Sequence, residues 1–235
     1  SVERAPVLAG GLAITLGAFQ ELGIERMEVS DSALREGLLY DLMGRIHDDD
    51  VRERTVAGLM QRFQVDQAQV ARVAGTAAAL QGAAKAWAAQ DEESALLLRW
   101  AAQLHEIGHS ISHSQYQKHG GYLVLHLDMP GFARGVQNRL AGLVRAHRRK
   151  LPLEEFANGA DGARDLRLAL LLRLAVVLHR ARGAAVPPEV TFKADGNALR
   201  LDFPRGWLEA HPLTRADLAE EADYLKPAGY ALKFK

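Results

Sequence analysis

The chain has 235 residues, 48% of them hydrophobic and 25% charged, with a formal net charge of zero. That balance fits a folded globular protein with room for one large domain or two small ones, and excludes a disordered or low-complexity chain. The absence of cysteine excludes a disulfide scaffold, a catalytic thiol and thiol-ligated zinc, and fits a reducing cytoplasm; zero net charge removes any long-range pull toward nucleic acid or an anionic membrane, and no apolar run is long enough to span a bilayer.

The chain opens on Ser1 and runs at once into Glu3-Arg4-Ala5-Pro6-Val7-Leu8, which reads like the interior of a domain, so a longer parent protein is expected. Residues 6–22 set Leu8, Leu12, Leu16 and Phe19 at helical spacing, and Gly23 stands where a helix stops. Residues 27–29 form a short strand candidate; Ser30 or Asp31 then caps a helix through Ala33, Leu34, Leu38, Leu39 and Leu42.

From residue 51 to about residue 182 nearly everything reads helical. Val56, Leu59, Met60 and Phe63 make one stripe, and Asp66 caps a helix over 70–87. Residues 94–104 are apolar on most sides, and Met129-Pro130-Gly131 reads as a turn. Residues 166–178 are too apolar for a surface helix and belong in the core of a bundle.

Pro187-Pro188 marks a boundary, after which the period changes to two. Residues 190–194 and 199–203 alternate around Asp195-Gly196-Asn197, a hairpin turn. A helix over 213–225, capped by Thr214, and a terminal strand over 230–234 follow. The expected fold is therefore mainly α: a short α-β-α segment, a helical bundle and a small C-terminal α+β unit.

Chemistry concentrates in residues 104–150. Six of the nine histidines fall there (His105, His109, His113, His119, His126 and His147), together with Lys118 and the run Arg145-Ala146-His147-Arg148-Arg149-Lys150. Residues 134–150 hold six basic side chains and no acidic one, and arginine outnumbers lysine, as forked binding of phosphate oxygens requires. The same run also reads as a solvated helix face.

His105-Glu106-Ile107-Gly108-His109 matches the H-E-x-x-H pattern of zinc proteases, in which two histidines on one helical face bind zinc and the glutamate activates water. A third ligand is missing: His113 has the wrong offset, and no glutamate lies between Glu106 and Glu154. A metal-dependent His-Asp phosphohydrolase needs an upstream histidine, a His-Asp pair and a downstream aspartate on a helical bundle. Here the pair is His105-Glu106, no histidine occurs between His47 and His105, and the late buried helix reads Leu174-Ala175-Val176-Val177-Leu178. The scaffold suits that chemistry and the ligands do not, so no residue is assigned to metal. His105 reads as a core histidine bonded to a carbonyl or as a ligand, and His113 and His119 as loop hydrogen bonders or ligand contacts. Arg173, inside the apolar helix, is either paired internally, with Glu106 as a candidate partner, or faces a channel.

Several segments in order carry a resemblance: 3–14, 29–41, Leu104-His105-Glu106-Ile107-Gly108, Ile111-Ser112-His113-Ser114 with His119 and Tyr122-Leu123, and the run 143–150. Across nearly its whole length the chain resembles the bacterial exopolyphosphatase and guanosine-pentaphosphate phosphohydrolase family. The resemblance implies three parts: 1–45 as the end of an actin-like phosphotransferase domain, 46–186 as a degenerate His-Asp-like helical domain, and 187–235 as a small α+β domain. It implies that the catalytic carboxylate, the phosphate loops and magnesium belong to actin-like domains outside this chain, so no catalytic residue is assigned here. Gly10 and Gly11 are expected to line a nucleotide or phosphate cleft, where bare backbone permits close approach.

The expected function is the C-terminal part of a hydrolase that releases terminal phosphate from inorganic polyphosphate or guanosine pentaphosphate. This chain would supply a basic channel in a cytoplasmic homodimer. Polyphosphate carries about one negative charge per phosphate unit, and multipoint contact with arginines releases counter-ions. The expected contacts are Lys118, His119, Arg145, His147, Arg148, Arg149 and Lys150, with His113. Two other readings remain open here: a self-sufficient metal phosphohydrolase using His105 and Glu106, and a non-catalytic dimerisation module.

Overall fold

A computed structural model of the chain describes residues 8–24, 26, 51–157, 161–182 and 190–235. The strand expected over 27–29, the helix capped by Ser30 or Asp31 and the Pro187-Pro188 boundary lie outside the described residues. Helix α1 spans Leu8–Leu22 and buries none of its side chains. It ends where expected: Gly23 takes φ +62 and the Ile24 amide closes back on the Phe19 carbonyl at 3.0 Å.

Six helices build the bundle: α2 (Val51–Arg62), α3 (Gln67–Ala84), α4 (Glu92–Leu104), α5 (Tyr116–His126), α6 (Arg134–Ala146) and α7 (Gly162–Leu178). Their starts follow from their sequence. Asp66 accepts from the Gln69 amide at 3.0 Å before α3, and Asp91 accepts from the Ser94 amide at 2.9 Å before α4. Met129-Pro130-Gly131-Phe132 is a type II turn: Gly131 adopts φ +85 and the Phe132 amide bonds the Met129 carbonyl at 3.1 Å.

The apolar helix α7 is the centre. Leu168, Ala169, Leu170, Leu171, Leu172, Leu174 and Ala175 are fully buried, and α3, α4 and α6 pack around them. Burial on all sides explains why its sequence shows no polar stripe. Helix α5 lies outside this layer, antiparallel to α6 and against a 3-10 turn, Ile107–Ser110. Two glycines set that spacing: a Cβ on Gly120 would stand 3.0 Å from Val144 and one on Gly121 2.8 Å from Arg145.

The C-terminal unit is a three-stranded sheet in the order β1 (Thr191–Asp195), β2 (Ala198–Asp202), β3 (Ala231–Phe234). Strands β1 and β2 are antiparallel, with Asp195 paired to Ala198, so the hairpin loop is Gly196-Asn197, within the expected Asp195-Gly196-Asn197 turn. Strand β3 runs parallel to β2, which demands a crossover. The one-turn helix α8 (Trp207–Ala210) and helix α9 (Pro212–Leu225) provide it. Helix α9 begins with Pro212 in its first turn and no side-chain cap, so Thr214 lies inside the helix and does not cap it.

The sheet's inner residues Phe192, Leu199, Leu201 and Leu232 join one continuous core with the bundle. Trp87 sits at the joint: its ring meets Phe192 and Tyr230 edge-on, and its Nε1 donates to the Gly196 carbonyl at 2.7 Å. Among the described residues no helix is long and apolar enough to cross a membrane.

Candidate anion-binding site

Helices α4 and α6 each end on a histidine. His105 follows Leu104 and His147 follows Ala146, and each ring turns back on its own helix. His105 Nδ1 bonds the Ala102 carbonyl at 2.7 Å, and His147 Nδ1 bonds the Val144 carbonyl at 2.6 Å. A carbonyl only accepts, so Nδ1 carries the proton in both rings and each Nε2 offers a lone pair. The rings meet edge-on with centroids 5.3 Å apart. Both are 1% exposed, and neither Nε2 has a hydrogen-bond partner among the described residues. Burial pushes His105 down to about 4, and it holds His147 well below the ordinary imidazole value. His105 is thus a core histidine bonded to a carbonyl.

The turn after α4 carries Glu106 and His109. Gly108 between them lets α5 close in: a Cβ there would stand 2.0 Å from the Tyr116 carbonyl oxygen and 2.5 Å from the Gly120 nitrogen. Tyr116, the first residue of α5, therefore stacks on His109 at 3.8 Å and lies 5.3 Å from the His147 ring. The Arg148 guanidinium covers the Tyr116 ring at 4.7 Å. His113 tilts against His109 at 4.9 Å. Burial, with His113 and two arginines near, lowers His109 to about 4.

Glu106 is a buried carboxylate among cations. Arg182 Nη2 donates to its Oε1, while Arg182 Nη1 stands 3.4 Å from Asp66. His105 Nε2 and His109 Nε2 lie 3.9 and 3.7 Å from the same Glu106 oxygen, beyond hydrogen-bond distance. Burial raises the Glu106 pKa against the opposing pull of Arg182, Arg148 and Arg72. Arg72 bonds Gln69 Oε1 at 2.7 Å through Nη2, and Gln69 in turn bonds the His179 carbonyl at 2.9 Å. The buried Nε atoms of Arg72 and Arg148 have no partner among the described residues.

The residues expected to touch phosphate divide into groups. Arg148 stands in the site. Arg149 and Lys150 are exposed in the turn after α6, Lys118 is exposed, and His119 is half-buried on α5. The antiparallel contacts Gly120–Val144, Gly121–Arg145 and Tyr116–Arg148 put Lys118 and His119 level with the end of α6, on faces of α5 turned away from it. His113 is exposed at the edge. Arg145 is engaged by Glu155 at 3.1 Å and Glu154 at 3.9 Å. His147 lies behind Tyr116, inside the core. Gly10 and Gly11 lie within α1, with open space about their Cα atoms among the described residues.

The basic stretch 134–150 is accordingly no single face. Arg139 forks onto Asp165 at 2.8 and 2.9 Å, and Arg134 bonds the Leu125 carbonyl at 3.0 Å. Of the two readings left open for Arg173, internal pairing holds, with Glu221 as partner and not Glu106, because α9 packs on α7 at that point. Sequence reasoning passed over Arg72 and Arg182, the cations facing Glu106. The run Leu178-His179-Arg180-Ala181-Arg182, basic at the end of an apolar helix, was the available signal. Among the described residues no three His, Asp or Glu side chains are grouped so as to hold a metal ion.

The site thus sets a buried His-Glu pair among arginines on a helical bundle. Residues 51–222 match the family profile described as Ppx/GppA phosphatase, domain III, and residues 1–46 match that of the Ppx/GppA phosphatase family. The chain belongs to the Ppx/GppA phosphatase family. It is 37% identical over 233 residues to a guanosine-5'-triphosphate,3'-diphosphate pyrophosphatase of Aeromonas hydrophila, covering 98% of this chain and 47% of that protein. It is 38% identical over 236 residues to the same-named protein of Vibrio vulnificus, covering 99% and 47% respectively. It is 38% identical over 240 residues to that of Vibrio cholerae, covering 100% and 48%. The chain spans about half the length of the curated relatives it matches.

Proposed function

We propose that this chain is the C-terminal part of a Ppx/GppA hydrolase that releases phosphate from guanosine pentaphosphate or inorganic polyphosphate, and that it supplies the basic track along which the substrate lies. The relatives' names support a phosphorylated guanosine nucleotide as substrate. The catalytic carboxylate and magnesium belong, on this reading, to the actin-like part of the protein, which works as a cytoplasmic homodimer.

The observation that carries the proposal is Arg148 on Tyr116, with Arg182 on Glu106 of the adjoining buried turn and Arg149 and Lys150 exposed next to Arg148 in the chain. The cation–π contact with Tyr116 positions the Arg148 guanidinium, whose buried Nε is unpartnered among the described residues, and guanidinium donors suit a phosphate oxygen. Lys118 and Lys150 add mobile point charges and Arg149 an exposed fork, and several such weak sites suit a polymer that slides better than one rigid pocket does. His119 and His113 line the rim, and Arg145 joins when a phosphate competes with Glu155.

The test is binding of fluorescently labelled long polyphosphate and of guanosine pentaphosphate to this chain at low and moderate salt. Affinity is expected to fall steeply with salt, and Arg148→Ala/Arg149→Ala/Lys150→Ala together to flatten that dependence by about two to three counter-ions. Binding that ignores both salt and the triple substitution overturns the proposal.

A further inference from the structure

The buried turn holds an anion of the protein's own. Glu106 is 7% exposed, yet the arginine that grips it, Arg182, is half exposed, so a solute can reach the guanidinium without unfolding the bundle. Three guanidiniums (Arg182, Arg148 and Arg72) act on this carboxylate, against one further acid, Asp66. His105, His109 and His147 are neutral near pH 7, so the positive charge acting on Glu106 comes from these arginines.

The carboxylate also leaves donors of these arginines without a partner. Oε1 of Glu106 takes the Arg182 bond, while the buried Nε atoms of Arg148 and Arg72 find no acceptor among the described residues. A phosphate group has the same acceptor chemistry as a carboxylate, with a third oxygen and more charge. Guanidinium forks that fit one fit the other.

We infer that Glu106 is the resident counter-ion of a phosphate subsite, which a phosphoryl group enters by displacing this carboxylate from Arg182. The inference rests on the proposed track but names a different element of it: a plug at one point, not the run of charges along the surface. Burial raises the Glu106 pKa, so this carboxylate gives up its charge more readily than a solvated one. The plug also keeps the arginines from drawing in any stray anion, so occupancy requires a ligand that outcompetes it.

The test uses tripolyphosphate and inorganic pyrophosphate as probes, with titration calorimetry on this chain. Glu106→Gln keeps the side chain's size and its acceptor toward Arg182 but removes the competing charge. Tripolyphosphate affinity is expected to rise about tenfold, equivalent to about 1.4 kcal/mol. Adding Arg182→Ala should abolish the gain, and Arg182→Ala in the wild-type background should weaken tripolyphosphate binding about tenfold, an arm that needs no change at Glu106. Unchanged or weaker binding by a Glu106→Gln protein of normal melting behaviour overturns the inference, as does indifference to Arg182→Ala. The two readings fail separately. Long polyphosphate lost in the triple variant but tripolyphosphate indifferent to Glu106→Gln leaves the track and removes the plug. The opposite pattern leaves the plug and removes the track.

Discussion

Arg173 and Glu221 form a buried fork that joins the centre of the bundle to the C-terminal unit. Arg173 Nε donates to Glu221 Oε1 at 2.5 Å and its Nη2 to Oε2 at 3.0 Å, and both side chains are almost wholly buried. The same guanidinium donates to the Ala146 and Arg149 carbonyls at 2.5 and 2.7 Å. It thereby fixes the turn that carries Arg148, Arg149 and Lys150, where Arg149 takes the left-handed φ of +61. Arg173→Ala leaves Glu221 buried without a partner and both carbonyls without a donor. The expected cost is about 3–5 kcal/mol, read as a lower denaturation midpoint. Arg173→Ala/Glu221→Ala together should cost less than Arg173→Ala alone, because no orphaned charge remains.

Gly108 is expected to be the least replaceable glycine of the turn. Its missing side chain is what admits the Tyr116 carbonyl and the Gly120 amide. Both obstacles are backbone, so neither can swing aside. Gly108→Ala should destabilise by about 1–3 kcal/mol or more and push α5 outward. The stacking of His109 on Tyr116 would loosen, visible as altered tyrosine fluorescence and near-ultraviolet circular dichroism.

Arg139 separates charge that binds from charge that builds. It is counted in the same basic run as Arg148, yet its fork closes on Asp165, with Glu93 adding a second contact. These acids hold its pKa above the ordinary arginine value. Arg139→Ala should therefore leave polyphosphate affinity and its salt dependence unchanged while costing about 1–3 kcal/mol of stability, since Asp165 is 4% exposed and loses its cation. A matching loss of affinity without loss of stability would place Arg139 on the track after all.

Much of the fold could be read from periodicity. The continuous apolar run of α7, the Asp66 cap, the Pro130-Gly131 turn and the switch to period two after residue 190 are local signals, each tied to nearby backbone. The site was legible only in part. Arg148, Arg149 and Lys150 announce themselves by clustering in sequence, and they share the turn after α6. Arg72 lies on α3 and Arg182 just beyond the end of α7, both far from that cluster in sequence, and only the packing of α3 and α7 against α4 brings them to Glu106. Arg173 misled for the same reason: its partner, Glu221, is 48 residues away, beyond a sheet whose docking no local pattern encodes. The acid-free character of 134–150 did not forecast exposure, because the neutralising acids Asp165, Glu93 and Glu155 come from other elements.

Stability should fall on mild acidification, and the histidine core sets the direction. His105 sits at about 4 when folded against an ordinary value of 6.5, and His147 lies well below that value, both through burial. A lowered histidine pKa means the unfolded chain binds the proton first. The contribution is complete above pH 6.5 and is lost as pH falls toward 4. For His105 alone this amounts to about 2 kcal/mol by about pH 5. Glu106 opposes it: its raised pKa makes the folded state the better proton binder, so its burial penalty eases over the same range. Two buried imidazoles and His109 outweigh one carboxylate, so the net slope is downward with acid. Denaturant unfolding at about pH 7 and about pH 5 checks this, with a lower midpoint expected at the acid value. His105→Gln cannot be protonated, so it should be less stable at pH 7, where the bond to the Ala102 carbonyl is disturbed, and show a shallower loss between the two conditions. A slope identical to that of the wild-type chain would mean that the buried imidazoles do not govern acid stability.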